Sequence, residues 1–209
     1  VLMSSDGTVT WVGSATEAPE ADSVLNAKGL IGLPGLIDPH THAVWAGSRS
    51  GEFSQRLAGA KYEEILEQGG GILSTVAATR TATKEALQRN LRLRLDRMRA
   101  RGVTCVEVKS GYGLDPITEH RMLTVASPFE PQKQPTRVVR TFLGAHTIPK
   151  EFRANREAYV RQIIEEQLPL CAPLSDFVDV YCDRGAFDLD ESMAILKAGK
   201  ELGLKVRAH

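Results

Sequence analysis

From Leu33 onward the chain alternates short apolar runs with longer stretches of helical periodicity, and this limits its fold more than any other feature. Five apolar runs can be read: "LIGLPGLIDPHTH", "VTCVEVK", "RVVRTFLGAH", "DFVDVYC" and "LKVRAH". Their ends fall near His42, Lys109, His146, Tyr181 and His209. After a long first excursion, "GEFSQRLAGAKYEEILEQGGGILSTVAATR", they recur in steps of 37, 35 and 28 residues, which suits successive strand–helix units. Strands that are apolar nearly throughout are covered on both faces, and helical connections between them make the sheet parallel.

The intervening helices carry their own signals. Leu87, Leu91, Leu95 and Met98 share one face of a helix from about Lys84 to Arg101, which Gly102 stops. Asp115 before Pro116 caps a helix running through about Ser127. A helix from about Asn155 is expected to stop at Pro169, and Asp188 with Glu191 predicts a capping box on a helix ending at Gly203. No G-x-G-x-x-G follows a strand, so a dinucleotide fold has little support. The better expectation is an α/β fold of the (β/α)8 TIM-type barrel kind, truncated after about five strands, because a full barrel takes roughly 250 residues. Residues 33–209 would form that barrel portion. Residues 1–32, with an Asp6-Gly7 turn between β-type pieces, would form part of a small β-sandwich domain.

Lys+Arg and Asp+Glu each number 26, which gives no global bias toward nucleic acid or a membrane surface. No apolar run nears the roughly 20 residues of a membrane span, and no secretory leader is visible. The first residue is Val1 rather than Met, so a missing or processed start is expected. Cys105, Cys171 and Cys182 show no C-x-x-C spacing and read as scattered thiols of a cytoplasmic protein, most simply as small apolar packing residues.

The five histidines are the most informative residues. His40, His42, His146 and His209 fall at or just past strand C-termini, the edge of a parallel sheet where ligands bind. His120 lies inside a helix and reads as a solvated or partly packed side chain. Residues i and i+2 of an extended chain face the same way, so His40 and His42 would aim together, close enough to share one ion. An isolated His-x-His usually binds nothing. The strand-end setting, with His209 at the end of the fifth strand, favours a metal site, and Asp38 would support an imidazole from behind.

"GLPGLIDPHTH" resembles the first-strand motif of the amidohydrolase superfamily. "HAVWAGSRSGEF", "LAGAKYEEILEQGGGILSTVAATR", "VEVKSGYGLD", "TFLGAHTIP" and "DFVDVYCDRGAFDLDES" narrow the likeness to the imidazolonepropionase family, over about Gly29 to His209. That resemblance implies metal-dependent hydrolysis of the cyclic amide of 4-imidazolone-5-propanoate to N-formimidoyl-L-glutamate, in histidine breakdown. It implies one zinc or iron ion, with His40, His42 and His209 matching three ligands, since both metals accept imidazole. Arg49, Tyr112 and His146 match substrate-contacting positions. A guanidinium suits a propanoate, and a phenol and an imidazole suit the polar ring atoms.

Each of these residues also has an ordinary structural reading. Arg49 could be a solvated loop residue, Tyr112 a packing residue in a turn built by Gly111 and Gly113, and His146 a strand-end residue satisfied by backbone. Gly69 to Gly71 could be a plain linker, and Lys109 is expected to be structural or supporting. The family's general acid, a further histidine and an aspartate ligand match nothing up to His209, so the catalytic proton-transfer group is unknown and the chain reads as a fragment. The partners implied are a small-molecule substrate, with a homodimer as the assembly common in the family, and neither nucleic acid nor membrane. Competing expectations are another cyclic amidase or deaminase of the superfamily, and a truncated chain without activity.

Overall fold

The computed structural model describes residues 1–61, 64, 70–127 and 136–209, which divide into two units, Val1–Pro34 and Gly35–His209. In the first, β1 (Leu2–Met3) pairs antiparallel with β2 (Val9–Trp11), Leu2 opposite Trp11. The Asp6-Gly7 turn closes as its chemistry predicts. Gly7 takes φ +85°, where a Cβ would be strained, and the Asp6 carboxylate accepts the Thr8 amide at 3.0 Å.

The second unit is α/β with a five-stranded, wholly parallel sheet: β3 (Leu36–Asp38), β4 (Val103–Lys109), β5 (Arg137–Ala145), β6 (Phe177–Val180) and β7 (Lys205–Val206). The strands lie side by side in chain order. Regular pairing of β7 is short, but the ladder runs on. The amides of Arg207 and His209 donate to the carbonyls of Val178 and Val180 at 2.9 and 3.1 Å, and the Cys182 amide donates to the His209 carbonyl at 2.8 Å.

Seven helices are described: α1 (Ser50–Leu57), α2 (Ile72–Thr81), α3 (Lys84–Arg99), α4 (Pro116–Ala126), α5 (Arg156–Gln162), α6 (Leu168–Cys171) and α7 (Leu189–Glu201). Leu87, Leu91 and Leu95 of α3 bury against Val106 and Val108 of β4 and Met122 of α4. Tyr159, Ile163, Leu168 and Ile195 cover Phe142, Val178 and Val180. Each such side chain contributes about 1.5–3 kcal/mol on leaving water, enough to outweigh the weak intrinsic helicity of short segments. The caps at Asp115 and Asp188 are both formed, the second as a reciprocal box with Glu191 at 2.9 Å in each direction.

Two expectations are corrected. Pro169 does not stop its helix: α5 continues through a wide π turn, Ile163–Gln167, into α6. A prolyl ring normally clashes with the carbonyl four residues back, and the widened turn accommodates it. The first apolar run is also neither long nor buried. Only Leu36–Asp38 is strand, and Leu36 and Ile37 are more than half exposed. β3 is an edge strand, so among the described residues nothing pairs along its outer side. Part of the first excursion, including Gly69, lies outside the described residues.

Candidate active site

The chain leaving β3 stays beside β4. The Lys109 amide donates to the Thr41 carbonyl at 2.9 Å, and the Thr41 hydroxyl donates to the Glu107 carbonyl at 2.5 Å. With Thr41 turned to β4, its neighbours His40 and His42 project together, their ring centroids 5.8 Å apart. His209, past β7, meets His40 edge-on at 4.8 Å. His146, past β5, stacks on His42 at 4.7 Å. Tyr112 lies 5.2 Å from His42 and 5.4 Å from His146. The four histidines thus gather at the C-terminal edge of the sheet, as their strand-end positions predicted, and Tyr112 joins them there, while His120 stays on α4, half-buried.

Hydrogen bonds fix which nitrogen of three of these rings is available. Nδ1 of His42 faces the Ser110 carbonyl at 3.2 Å, and Nδ1 of His146 faces the Gly111 carbonyl at 2.8 Å. Nδ1 of His209 donates to the Asp179 carboxylate at 2.9 Å. A carbonyl or carboxylate only accepts, so each Nδ1 carries a proton, and on a neutral ring Nε2 then keeps its lone pair. Burial, helped by the neighbouring His146 and His40, pushes His42 down to about 3. Burial likewise lowers His146 to about 4. Both rings are neutral donors of lone pairs at physiological pH.

Beneath the histidines lies a row of buried charge. Glu107 and Lys109 alternate onto one side of β4, and Lys109 pairs with Glu107 at 3.0 Å and with Asp179 of β6. Arg207 pairs with Glu107 from the β7 side, and the Thr141 hydroxyl donates to the same carboxylate. Burial opposes ionisation of Asp179, but Lys109 and then His209 outweigh it and hold that carboxyl below its ordinary value.

The loop after β4, Ser110–Leu114, is bracketed on two sides. The Glu119 carboxylate accepts the amides of Gly111, Gly113 and Leu114 at 2.7–3.1 Å. Arg80 of α2 donates to the carbonyls of Gly113 at 2.7 Å and Leu114 at 3.2 Å. Gly111 is required here: at φ +102° a Cβ would sit 2.9 Å from Nδ1 of His146. Burial raises the Tyr112 phenol above its ordinary value, and the Arg49 guanidinium opposes that rise, which puts Arg49 within electrostatic reach of the cluster. Arg49 itself is half-exposed and pairs with Glu52 at 2.8 Å. Arg94 of α3 holds the loop before it, donating to the carbonyls of Ala43 and Trp45 and lying 3.7 Å over the Trp45 ring.

No protein-family profile matches the chain. Individual relatives do. Over 208 residues, 98% of its length, it is 45% identical to the imidazolonepropionases of Bacillus cytotoxicus, Bacillus thuringiensis and Bacillus cereus. The chain belongs to the imidazolonepropionase family. It spans about half the length of the curated relatives it matches, 49% of each.

Imidazolonepropionases are amidohydrolase-type enzymes that generally use a metal ion. The donor chemistry here fits one: the neutral His42 ring is bonded through Nδ1, which leaves Nε2 as its donor atom, and a carboxylate stands behind Nδ1 of His209 as it does behind many metal-bound imidazoles. The side chains are not drawn around one point, since among the described residues no three His, Cys, Asp or Glu groups converge on a metal-sized position.

Several residues that shape this imidazolonepropionase-family site were not legible as such. Asp38 does not support an imidazole. Its carboxylate turns back to the amide of His40 at 3.4 Å, because an aspartate two residues before a free amide finds that donor first. Asp179 supports His209 instead, and its signal was an acidic residue inside an apolar run, "DFVDVY". Glu119 gave no signal beyond a carboxylate in the first turns of a helix.

Proposed function

We propose that the chain carries the metal-pair and substrate-contacting part of an imidazolonepropionase active site. The reaction is hydrolysis of the ring C–N bond of 4-imidazolone-5-propanoate to N-formimidoyl-L-glutamate. The observation that supports this most is the strand-end histidine cluster, with Nδ1 of His42, His146 and His209 each bonded to an acceptor, in a chain 45% identical to named imidazolonepropionases.

In this reading His40, His42 and His209 hold one zinc or iron ion through imidazole nitrogens. The bound metal supplies a water acidified toward neutral pH. Asp179 holds the His209 ring in its tautomer. Arg49 binds the propanoate carboxylate as a bidentate fork, exchanging Glu52 for substrate. Tyr112 and His146, desolvated beside His42, hydrogen-bond the ring's polar atoms. The group that protonates the departing nitrogen is not among these residues, and the relatives' further length is where it is sought. Residues 33–209 are read as part of a (β/α)8 barrel. The exposed Leu36 and Ile37 on the β3 edge and Val206 on β7 support this, since a closed sheet would cover both edges. Residues 1–32 are read as part of a small β-sandwich domain.

Among the described residues no helix is long and apolar enough to cross a membrane. A cytoplasmic enzyme acting on a small molecule, without nucleic acid and open to homodimer formation, accords with the balanced charge. Zinc titration of the metal-free chain, alongside H40A, H42A and H209A, tests the site. One ion bound by the parent and much weaker binding by each variant supports it, and no binding by the parent overturns it.

A further inference from the structure

Glu119 is fully buried, charged in type and outside the set of residues just described. Its carboxylate accepts the amide of Gly111 with both oxygens, at 3.1 and 2.9 Å, and the amides of Gly113 and Leu114 with one, at 2.7 and 2.9 Å. The residues that receive this attention are unusual ones. Gly111 and the buried Leu114 both have positive φ, +102° and +55°, and Leu114 is the one non-glycine residue in that region among the described residues. Such a backbone persists only when its surroundings over-determine it. The helix N-terminus beneath Glu119 also favours a negative charge there.

What this loop presents is the site. The Ser110 carbonyl accepts from Nδ1 of His42, and the Gly111 carbonyl accepts from Nδ1 of His146. Between Gly111 and Gly113 the loop offers Tyr112 to both rings. The Gly111 amide faces Glu119 and so sends the Ser110 carbonyl of the same peptide plane the other way, toward His42, while the Gly111 carbonyl that meets His146 belongs to the next plane, held between the Gly111 and Gly113 amides that Glu119 fixes.

We propose that Glu119 is a positioning residue for this site: by gathering the loop amides it aims the Ser110 and Gly111 carbonyls that set the tautomers of His42 and His146. It touches neither substrate nor metal. The inference rests on the reading of His42 and His146 as site residues, and deepens it by naming what makes their Nε2 atoms available.

The test uses the 209-residue chain labelled with 15N at histidine, at neutral pH, with E119Q and E119D. In the parent, His42 and His146 carry the ring proton on Nδ1. E119Q turns an N–H donor toward the Gly111 amide, and E119D draws the carboxylate back by one methylene. In either variant, still cooperatively folded, the ring signals of His42 and His146 shift toward a mixture of tautomers, while those of His40 and His209 hold. Zinc affinity falls about tenfold, the lower end of what outer-shell losses cost. Unchanged His42 and His146 signals in a folded variant overturn the proposal, as does an equal shift of all four rings, which marks general loosening. If neither variant folds, the parent decides: protons on Nδ1 of both rings uphold it, and a proton on Nε2 of either overturns it. Zinc that fails to bind the parent sinks the metal reading but leaves the tautomer comparison intact.

Discussion

His209 donates its Nδ1 proton to Asp179 across 2.9 Å, tying the end of β7 to the buried charges of β4 and β6. D179N removes the negative charge that both His209 and Lys109 face. Zinc affinity, measured by chelator competition, should fall about 10–100-fold. Urea unfolding should show a loss of about 3 kcal/mol or more, since Lys109 is left under-compensated in the interior. A variant that binds zinc as tightly as the parent would remove Asp179 from the site.

Arg49 separates stability from binding. Its pair with Glu52 is solvent-washed and worth at most about 1 kcal/mol, so R49A should melt close to the parent. Binding of imidazole-4-propanoate, followed by calorimetry, should weaken about 10–100-fold, the worth of a charge-assisted carboxylate contact. R49K should fall between, keeping charge but losing the fork. Equal affinities for parent and R49A would return Arg49 to the role of a loop residue.

Alkali should unfold the protein through groups far from the histidines. Burial raises the Cys171 thiol above its ordinary 9.0, and burial raises Tyr159, whose hydroxyl donates to the Gly144 carbonyl, above 10.0. Folding therefore keeps both protonated while the unfolded chain ionises. The stability they contribute is complete below pH 9.0 and is lost as pH climbs past each ordinary value, by about 1.4 kcal/mol per pH unit per group. Denaturant midpoints taken across this range should drop steadily, with a shallower slope for C171A. A slope unaltered by C171A would mean that the thiol ionises freely in the native state.

The α7 cap offers a stability test free of the site. D188A should cost about 1 kcal/mol by exposing the first-turn amides. E191A should cost more, because Glu191 also accepts Arg156 at 2.7 and 2.6 Å. The double variant should lose less than the two single losses together, as the groups share a bond. Strict additivity in urea melts would contradict the reciprocal geometry.

The ends of β4, β5 and β6 were legible because apolar runs stop where backbone turns, whereas β3 stops at Asp38, short of the histidine pair that its run suggested as the end. β4 was read to the residue, and the caps at Asp115 and Asp188 followed from local chemistry alone. Pro169 misled because a wide π turn is a tertiary accommodation with no local signature. Glu107, Lys109 and Asp179 were obscure for a different reason. A charge inside an apolar strand announces burial with a partner, but the partner lies on another strand, and only the register of β4 against β5 and of β5 against β6 brings them together. Glu119 is the extreme case, since what it serves is backbone, which has no letter of its own.

The order of the strands carries a consequence for assembly. Each of β4 to β7 hydrogen-bonds to the strand made just before it, so none waits for a partner still to be synthesised. A nascent chain can add them one at a time to a growing edge, covering each with its helix as it emerges. Of these five strands β7 is made after the other four, pairs with β6 at two register positions, and brings His209 to His40. The histidine cluster is therefore completed only when β7 docks, and β3 to β6 have to be in place before there is anything for it to complete.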